Sequence, residues 1–359
     1  MNLVRAVASL LVAALAQASQ AQTAAAECLA DLEALGPYML ANDAGARDDV
    51  AQKGQATFDA ALVAARAQAA AAVDDESCLT ALRAYLLAFR KTHLSVRSTH
   101  PAGTLPRPRT PMPTFRILSA KTALLTLPSF ADQAGAAIAG ILDEHAREIA
   151  QRPNLIIDVR GNGGGSDWTY RPLLPLVSAN IRRDFGAMLL ATPANSAANR
   201  AVCELMAPDS QQCREAARAA SEAMDRAPSG TFIPIPGERA VDIVEPAKVA
   251  PSPRRVGVLV DSRCGSTCEE FLLATRQSFK VKLFGQSSAG ALDYSNLRPF
   301  TLPSGKRLLM YATSRSLRLP HFAVDAAGIP PDQVLPVPLD AAAHEEEIAE
   351  VRRVLESGQ

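Results

Sequence analysis

The chain has 359 residues, 48% hydrophobic and 21% charged, a balance that excludes a collagenous, intrinsically disordered or multi-span membrane protein. Its 37 Lys and Arg cancel 37 Asp and Glu with no long single-sign block, which disfavours nucleic acid and acidic membrane surfaces as partners. At about 150 residues per domain the length suggests two domains, each able to bury a core without a structural metal.

Met1 to Arg5 form a short basic start, Ala6 to Ala16 an uncharged run of 11, and Ala18 and Ala21 follow among small residues where a signal peptidase would cut. This predicts a secretory signal peptide over 1–21. A membrane span needs roughly 20 apolar residues, about twice this run. Glu27 stands before Cys28 where a lipid-attachment box has a small residue, which argues against a lipoprotein. The mature chain is therefore expected to be periplasmic or secreted, without membrane insertion, and its six cysteines to oxidise there.

Residues 22–97 read as an N-terminal helical region, with Leu29, Leu32 and Leu35, then Leu82, Leu86 and Phe89, at helical spacing. Cys28 and Cys78 lie near its opposite ends, placed to tie two helices together. A connector over 98–113 carries Pro101, Pro106, Pro108, Pro111 and Pro113 and marks a domain boundary. Beyond it the pattern alternates: a strand over Thr122 to Leu127, a helix over Ala136 to Ala150, a strand over Leu155 to Val159. Strands are also expected over Arg255 to Val260, Val281 to Phe284 and Arg307 to Ala312, with a helix from Cys268 to Gln277. Such alternation implies an α/β layered core over 114–343. A polar, Ala-rich helical insertion at about 194–226 holds Cys203 and Cys213. A surface-packed helix closes the chain over 344–359, with Ile348, Val351 and Leu355 on one face.

Two segments could carry chemistry. In the first, an apolar strand runs into Asp158-Val159-Arg160-Gly161-Asn162-Gly163-Gly164-Gly165, whose glycines allow positive φ and expose backbone N–H groups. That fits a phosphate cradle, an oxyanion hole or a plain turn, and the phosphate reading lacks a Gly-Lys-Ser/Thr ending or a Gly-x-Gly-x-x-Gly helix start. In the second, Val256 to Val260 runs into Asp261-Ser262-Arg263-Cys264-Gly265-Ser266-Thr267-Cys268-Glu269-Glu270, a turn followed by a helix with acids in its first turn. Ser266 is then either a helix cap or a nucleophile whose developing charge is favoured by the helix N-terminus. A nucleophilic serine needs a base. Of the five histidines, His145 and His344 fall in charged helical stretches; His93 lies where a helix gives way to a strand, a place that by itself more often holds an ordinary packed histidine.

Taken together these segments resemble the serine peptidase family that includes the C-terminal processing (tail-specific) proteases and the tricorn core protease. Lys91-Thr92-His93-Leu94-Ser95-Val96 is similar to the Asp-Gly-His-Thr/Leu segment of the tricorn-like branch, and Thr122 to Phe130 to the strand and turn that open the catalytic core. Asp158 to Gly165 resembles Asp-x-Arg-x-Asn-x-Gly-Gly. Gly265-Ser266-Thr267-Cys268-Glu269 occupies the place of the nucleophile turn, and Gly285 to Gly290 and Gly328-Ile329-Pro330-Pro331-Asp332 complete the series in family order. The resemblance spans Leu86 to Val337 and implies a crotonase-like, Clp-like layered α/β fold.

The same resemblance implies the roles. Ser266 would attack a peptide carbonyl, His93 would take and return its proton, and Asp325, where the family more often has glutamate, would orient His93. The N–H groups of Gly164 or Gly163 and of Thr267 would hold the oxyanion, with Glu269, Asp158, Arg160 and Asn162 in support. The lysine of the processing proteases is missing, since Gly290 is followed by Ala291 and Leu292, and about 30 residues between His93 and Leu124 leave no room for a PDZ domain. No metal-ligand spacing appears, so neither metal nor cofactor is expected. Three sequence-local disulfides are expected: Cys28–Cys78, Cys203–Cys213 and Cys264–Cys268, the last bracketing Ser266. The partner would be a peptide or protein substrate, with homo-oligomerisation left open. The competing functions are a non-catalytic peptide- or apolar-ligand-binding protein on the same fold and, third, a crotonase-type acyl-CoA enzyme, which would give the Ser266 turn no role.

Overall fold

The computed structural model describes residues 2–99, 110–206, 210–246 and 249–358, with side chains from residue 21 onward except at 205 and 206. Most of the Pro-rich connector, at 100–109, lies outside the described residues. The chain begins with α1 (Asn2–Asn42), α2 (Ala46–Lys53), α3 (Gln55–Ala70), α4 (Asp75–Phe89), β1 (Ser95–Ser98), β2 (Thr114–Ile117), β3 (Thr122–Thr126), α5 (Asp132–Glu144), α6 (Ala146–Ala150) and β4 (Asn154–Asp158). Then come α7 (Leu174–Val177), β5 (Arg182–Phe185), β6 (Ala187–Ala191), α8 (Pro193–Met206), α9 (Gln211–Arg226), β7 (Thr231–Pro234) and β8 (Val241–Val244). The rest holds β9 (Arg255–Val260), α10 (Thr267–Thr275), β10 (Val281–Gly285), β11 (Tyr294–Thr301), β12 (Arg307–Ser316), β13 (Gln333–Val334) and α11 (Ala341–Ser357).

These elements form two compact units that the chain enters more than once. One comprises Met1–Leu105, Ala187–Glu238 and Tyr294–Arg315; the other Pro106–Gly186, Arg239–Asp293 and Ser316–Gln359. This division cuts across the linear one expected from composition, because both β6 to β7 and the β11–β12 hairpin join the N-terminal helices.

In the first unit, α1 runs without a break from Asn2, so the segment read as a signal peptide is helical and continuous with the N-terminal region. Helix α4 starts at a reciprocal cap, in which Ser77 N–H donates to Asp74 Oδ1 at 2.8 Å and Asp74 N–H to Ser77 Oγ at 3.1 Å. The disulfide Cys28–Cys78 links α1 to α4 around a core of Leu32, Leu35, Met39, Phe58, Leu82 and Phe89. Strand β12 pairs with β1 and β11 in a sheet of order β1-β12-β6-β7. The expected helical insertion is the pair α8 and α9, closed by Cys203–Cys213.

The second unit is built on a sheet of order β13-β10-β9-β4-β3-β2, parallel except for β2. Its central strands are apolar on both faces, as expected of a parallel sheet covered on both sides. Leu125, Ile157, Val258 and Val260 join Ile138 of α5 and Phe271 and Leu272 of α10, while Leu124, Ile156, Leu259 and Phe284 face Ile348, Val351 and Leu355 of α11. Gly257 permits that second approach: a Cβ there would lie 2.6 Å from Val351 Cγ1. The expected strands Arg255 to Val260 and Val281 to Phe284 are present. The helix expected over Ala136 to Ala150 is instead α5 and α6, broken at His145, and β5, β8 and β11 had no alternating apolar pattern to announce them.

Candidate active site

Three loops leave the carboxyl ends of the parallel strands β4, β9 and β10, the end at which ligands bind in open α/β sheets. The loop after β9 carries Ser266 at φ 57° and ψ −125°, immediately before α10. Positive φ at a residue with a Cβ costs on the order of 1–3 kcal/mol and persists only where the surroundings enforce it. Here three restraints do so. Ser266 N–H donates to Ala291 O and to Glu269 Oε2, each at 3.1 Å. The Cys264–Cys268 disulfide closes the turn. Glu269, fully buried, accepts Ser288 Oγ–H at 2.5 Å, Gly290 N–H at 2.7 Å and Ala291 N–H at 2.8 Å. Ser288 Oγ in turn accepts Ile329 N–H at 2.7 Å, so one carboxylate joins the serine turn to the Gly285 to Gly290 and Gly328-Ile329 segments.

The loop after β4 is fixed by its polar residues. Asp158 accepts two bonds from Arg160, at 2.9 and 2.6 Å, and Arg160 also pairs with Glu347 of α11. Asn162, fully buried, donates to Leu127 O at 2.9 Å and accepts Gly265 N–H on its own carbonyl at 3.2 Å, which ties three loops to one residue. Gly164, at φ 97°, lies against the serine: a Cβ there would sit 2.8 Å from Ser266 Cβ and 3.0 Å from Thr267 N. This corrects one expectation. The Gly164 N–H is already donated to Asn162 Oδ1 at 3.0 Å, so it cannot serve an oxyanion without breaking that bond. Among the described residues no acceptor meets the N–H of Gly163 or of Thr267. Thr267 Oγ–H is fixed by Gly165 O at 2.9 Å and Asp167 Oδ1 at 3.0 Å.

His93 belongs to the first unit, whereas Ser266, Gly163, Gly164, Thr267, Glu269 and Asp325 belong to the second. His93 stands at φ 52°, with Nδ1 2.5 Å from the Tyr294 carbonyl oxygen. A carbonyl only accepts, so Nδ1 carries the hydrogen and neutral His93 presents Nε2 as an acceptor. Burial lowers its pKa below the usual imidazole value, the Tyr294 carbonyl raises it, and the nearby Arg90 charge lowers it further. The orienting role expected of Asp325 is corrected accordingly, since the ring nitrogen such a carboxylate would hold is taken by Tyr294. Asp325 Oδ1 accepts Leu292 and Asp293 N–H, at 2.6 and 2.7 Å, and Asp293 Oδ2 accepts Val324 and Asp325 N–H in return, at 2.7 and 2.8 Å. Sequence reasoning missed Tyr294 and Ser288: a backbone acceptor leaves no side-chain signature, and Ser288 sat within a recognised motif without an assigned role. Among the described residues no three His, Cys, Asp or Glu side chains cluster as metal ligands.

Residues 121–181 match the model of peptidase family S41. That span contains β3, β4 and the Asp158 to Gly165 loop, and neither His93 nor Ser266. No curated protein matches the chain. Among solved structures, one from Parabacteroides merdae described as a candidate peptidase is 15% identical, covers 92% of this chain and 96% of its own, and superposes with a TM-score of 0.55. A lipoprotein from Streptococcus agalactiae is 14% identical over 90% of this chain and 96% of its own, with a TM-score of 0.47. The photosystem II D1 C-terminal processing protease is 15% identical over 67% of this chain and 52% of its own, with a TM-score of 0.39. The first of these establishes a shared α/β fold.

Proposed function

We propose that this chain is a serine peptidase of the S41 type that cleaves peptides or proteins outside the cytoplasm. Ser266 Oγ attacks the scissile carbonyl as its proton passes to Nε2 of His93, and His93 returns that proton to the leaving amine. The N–H groups of Thr267 and Gly163 stabilise the tetrahedral oxyanion, helped by the N-terminus of α10. Asp325 accepts the N–H groups of Leu292 and Asp293, the two residues before Tyr294 in the chain. Periplasmic or secreted location is supported by the basic-apolar start of the sequence and by the pairing of its six cysteines in three disulfides.

The observation that carries this reading is Ser266 itself, held at positive φ at the start of a helix with the Gly164 backbone against it. A serine that merely capped α10 would need no such conformation. An active-site-directed fluorophosphonate should label the wild-type protein, and Ser266→Ala should abolish the label. Undiminished labelling of Ser266→Ala, or a folded wild-type protein that neither labels nor cleaves a peptide library, overturns the reading in favour of a binding protein.

A further inference from the structure

We propose that Arg90 is a positioning residue for His93: clamped by Asp43 and laid over the ring of Tyr294, it holds the imidazole in the tautomer with hydrogen on Nδ1. This rests on the peptidase reading above, in which His93 is the base. Arg90 directly follows α4 and is only 9% exposed. Its guanidinium donates to Asp43 Oδ1 at 2.6 Å, to Asp43 Oδ2, and to Asp49 Oδ2 at 3.3 Å. Asp43 is itself fixed by the N–H groups of Gly45 at 2.9 Å and Ala312 at 3.0 Å. On its other side the guanidinium reaches the His93 carbonyl at 3.5 Å and lies 5.2 Å from the centroid of the Tyr294 ring. It therefore touches both the residue that bears the imidazole and the residue whose carbonyl orients it.

Tyr294 is held from its far end as well. Its hydroxyl donates to Asp48 Oδ2 at 2.8 Å, and Arg315 pairs with the same oxygen at 3.2 Å. With ring face and hydroxyl both fixed, the Tyr294 carbonyl is fixed too, and so is the Nδ1–H that points at it. Gly45 makes the arrangement sterically feasible. A Cβ there would lie 2.9 Å from Arg90 Nη1 and 2.9 Å from Tyr294 Cγ, although its φ of −106° suits any residue. A bare salt bridge between helices would require neither the aromatic ring nor the missing Cβ.

The test compares full-length wild type with Arg90→Met, Arg90→Lys and Gly45→Ala, using proton-nitrogen NMR of 15N-histidine-labelled protein alongside kinetics. Wild-type His93 should appear as the Nδ1-protonated tautomer. Arg90→Met should populate the other tautomer and lose on the order of 100-fold in kcat with KM changed little, a loss consistent with a small displacement of a reacting group. Arg90→Lys, which keeps the charge and loses the fork, should fall between. Gly45→Ala removes no charged group and should shift the tautomer the same way, so it carries the test if the Arg90 variants do not fold. Folded variants with the wild-type tautomer and kcat overturn the proposal, as does a wild-type spectrum with hydrogen on Nε2. The spectrum is independent of activity: the expected tautomer in a protein without Ser266-dependent labelling defeats the peptidase reading and leaves the positioning of His93 standing.

Discussion

Glu269 concentrates more of the site on one side chain than any other residue. It is fully buried and accepts N–H or O–H from Ser266, Ser288, Gly290 and Ala291. Glu269→Ala would take the carboxylate from three buried donors, of Ser288, Gly290 and Ala291, at about 1–3 kcal/mol each, partly relieved by water and relaxation, while Ser266 N–H would keep Ala291 O. The expected outcome is a loss of at least about 3 kcal/mol in urea unfolding together with loss of fluorophosphonate labelling. His93 permits a pH prediction with a definite sign. Its folded pKa is pushed below the unfolded imidazole value of about 6.5, chiefly by burial. The base therefore stays neutral as pH falls through that value, and kcat/KM should hold there and decline only at lower pH. Stability moves otherwise: the unfolded chain takes up the proton first, so acidification below about pH 6.5 should cost the wild type stability relative to His93→Gln until the folded pKa is passed. Urea midpoints of the two proteins across that window check it. Ser266 and Glu269 were legible from their spacing before a helix, whereas the Gly164 N–H was misjudged because the Asn162 side chain two residues earlier accepts it in a local turn, a competition that the glycine pattern alone left out.

At the scale of elements, the three disulfides have the same chemistry and different consequences. Cys28–Cys78 spans 50 residues and joins α1 to α4, while Cys264–Cys268 spans four and closes only the serine turn. On loop-entropy grounds the first is worth about 4 kcal/mol and the second about 2. Replacing Cys28 and Cys78 by alanine should therefore lower the thermal midpoint more, and replacing Cys264 and Cys268 should lower turnover more, because that bond helps hold Ser266 at positive φ. Calorimetry and peptide turnover on the two double variants read the difference, and equal effects on both would remove the assigned division of labour. The elements best read from sequence were those with unbroken apolar runs, β3, β4 and β9. Their legibility has a physical cause: strands buried on both faces cannot alternate with polar residues. Strands β5 and β8, half-exposed and paired only with each other, lacked that signal.

At the scale of the whole molecule, the sequence by itself determined the α/β class, the order of the motifs, the N-terminal helices, the three cysteine pairings and the serine turn. Apart from Cys28 and Cys78, 50 residues apart near opposite ends of the helical region, these depend on residues close together in the chain, where helical period, apolar runs and cysteine positions act directly. Only the tertiary structure decided how the chain divides, since β6 to β7 and the β11–β12 hairpin join helices formed more than a hundred residues earlier. It also decided which atoms meet. Tyr294 in place of Asp325 at His93 Nδ1, and Leu127 O at the Asn162 side chain, follow from close approach of groups whose chemistry is common and whose spacing in sequence is arbitrary. A hydrogen bond depends on distances of about 3 Å between folded atoms, and nothing in linear spacing carries that length.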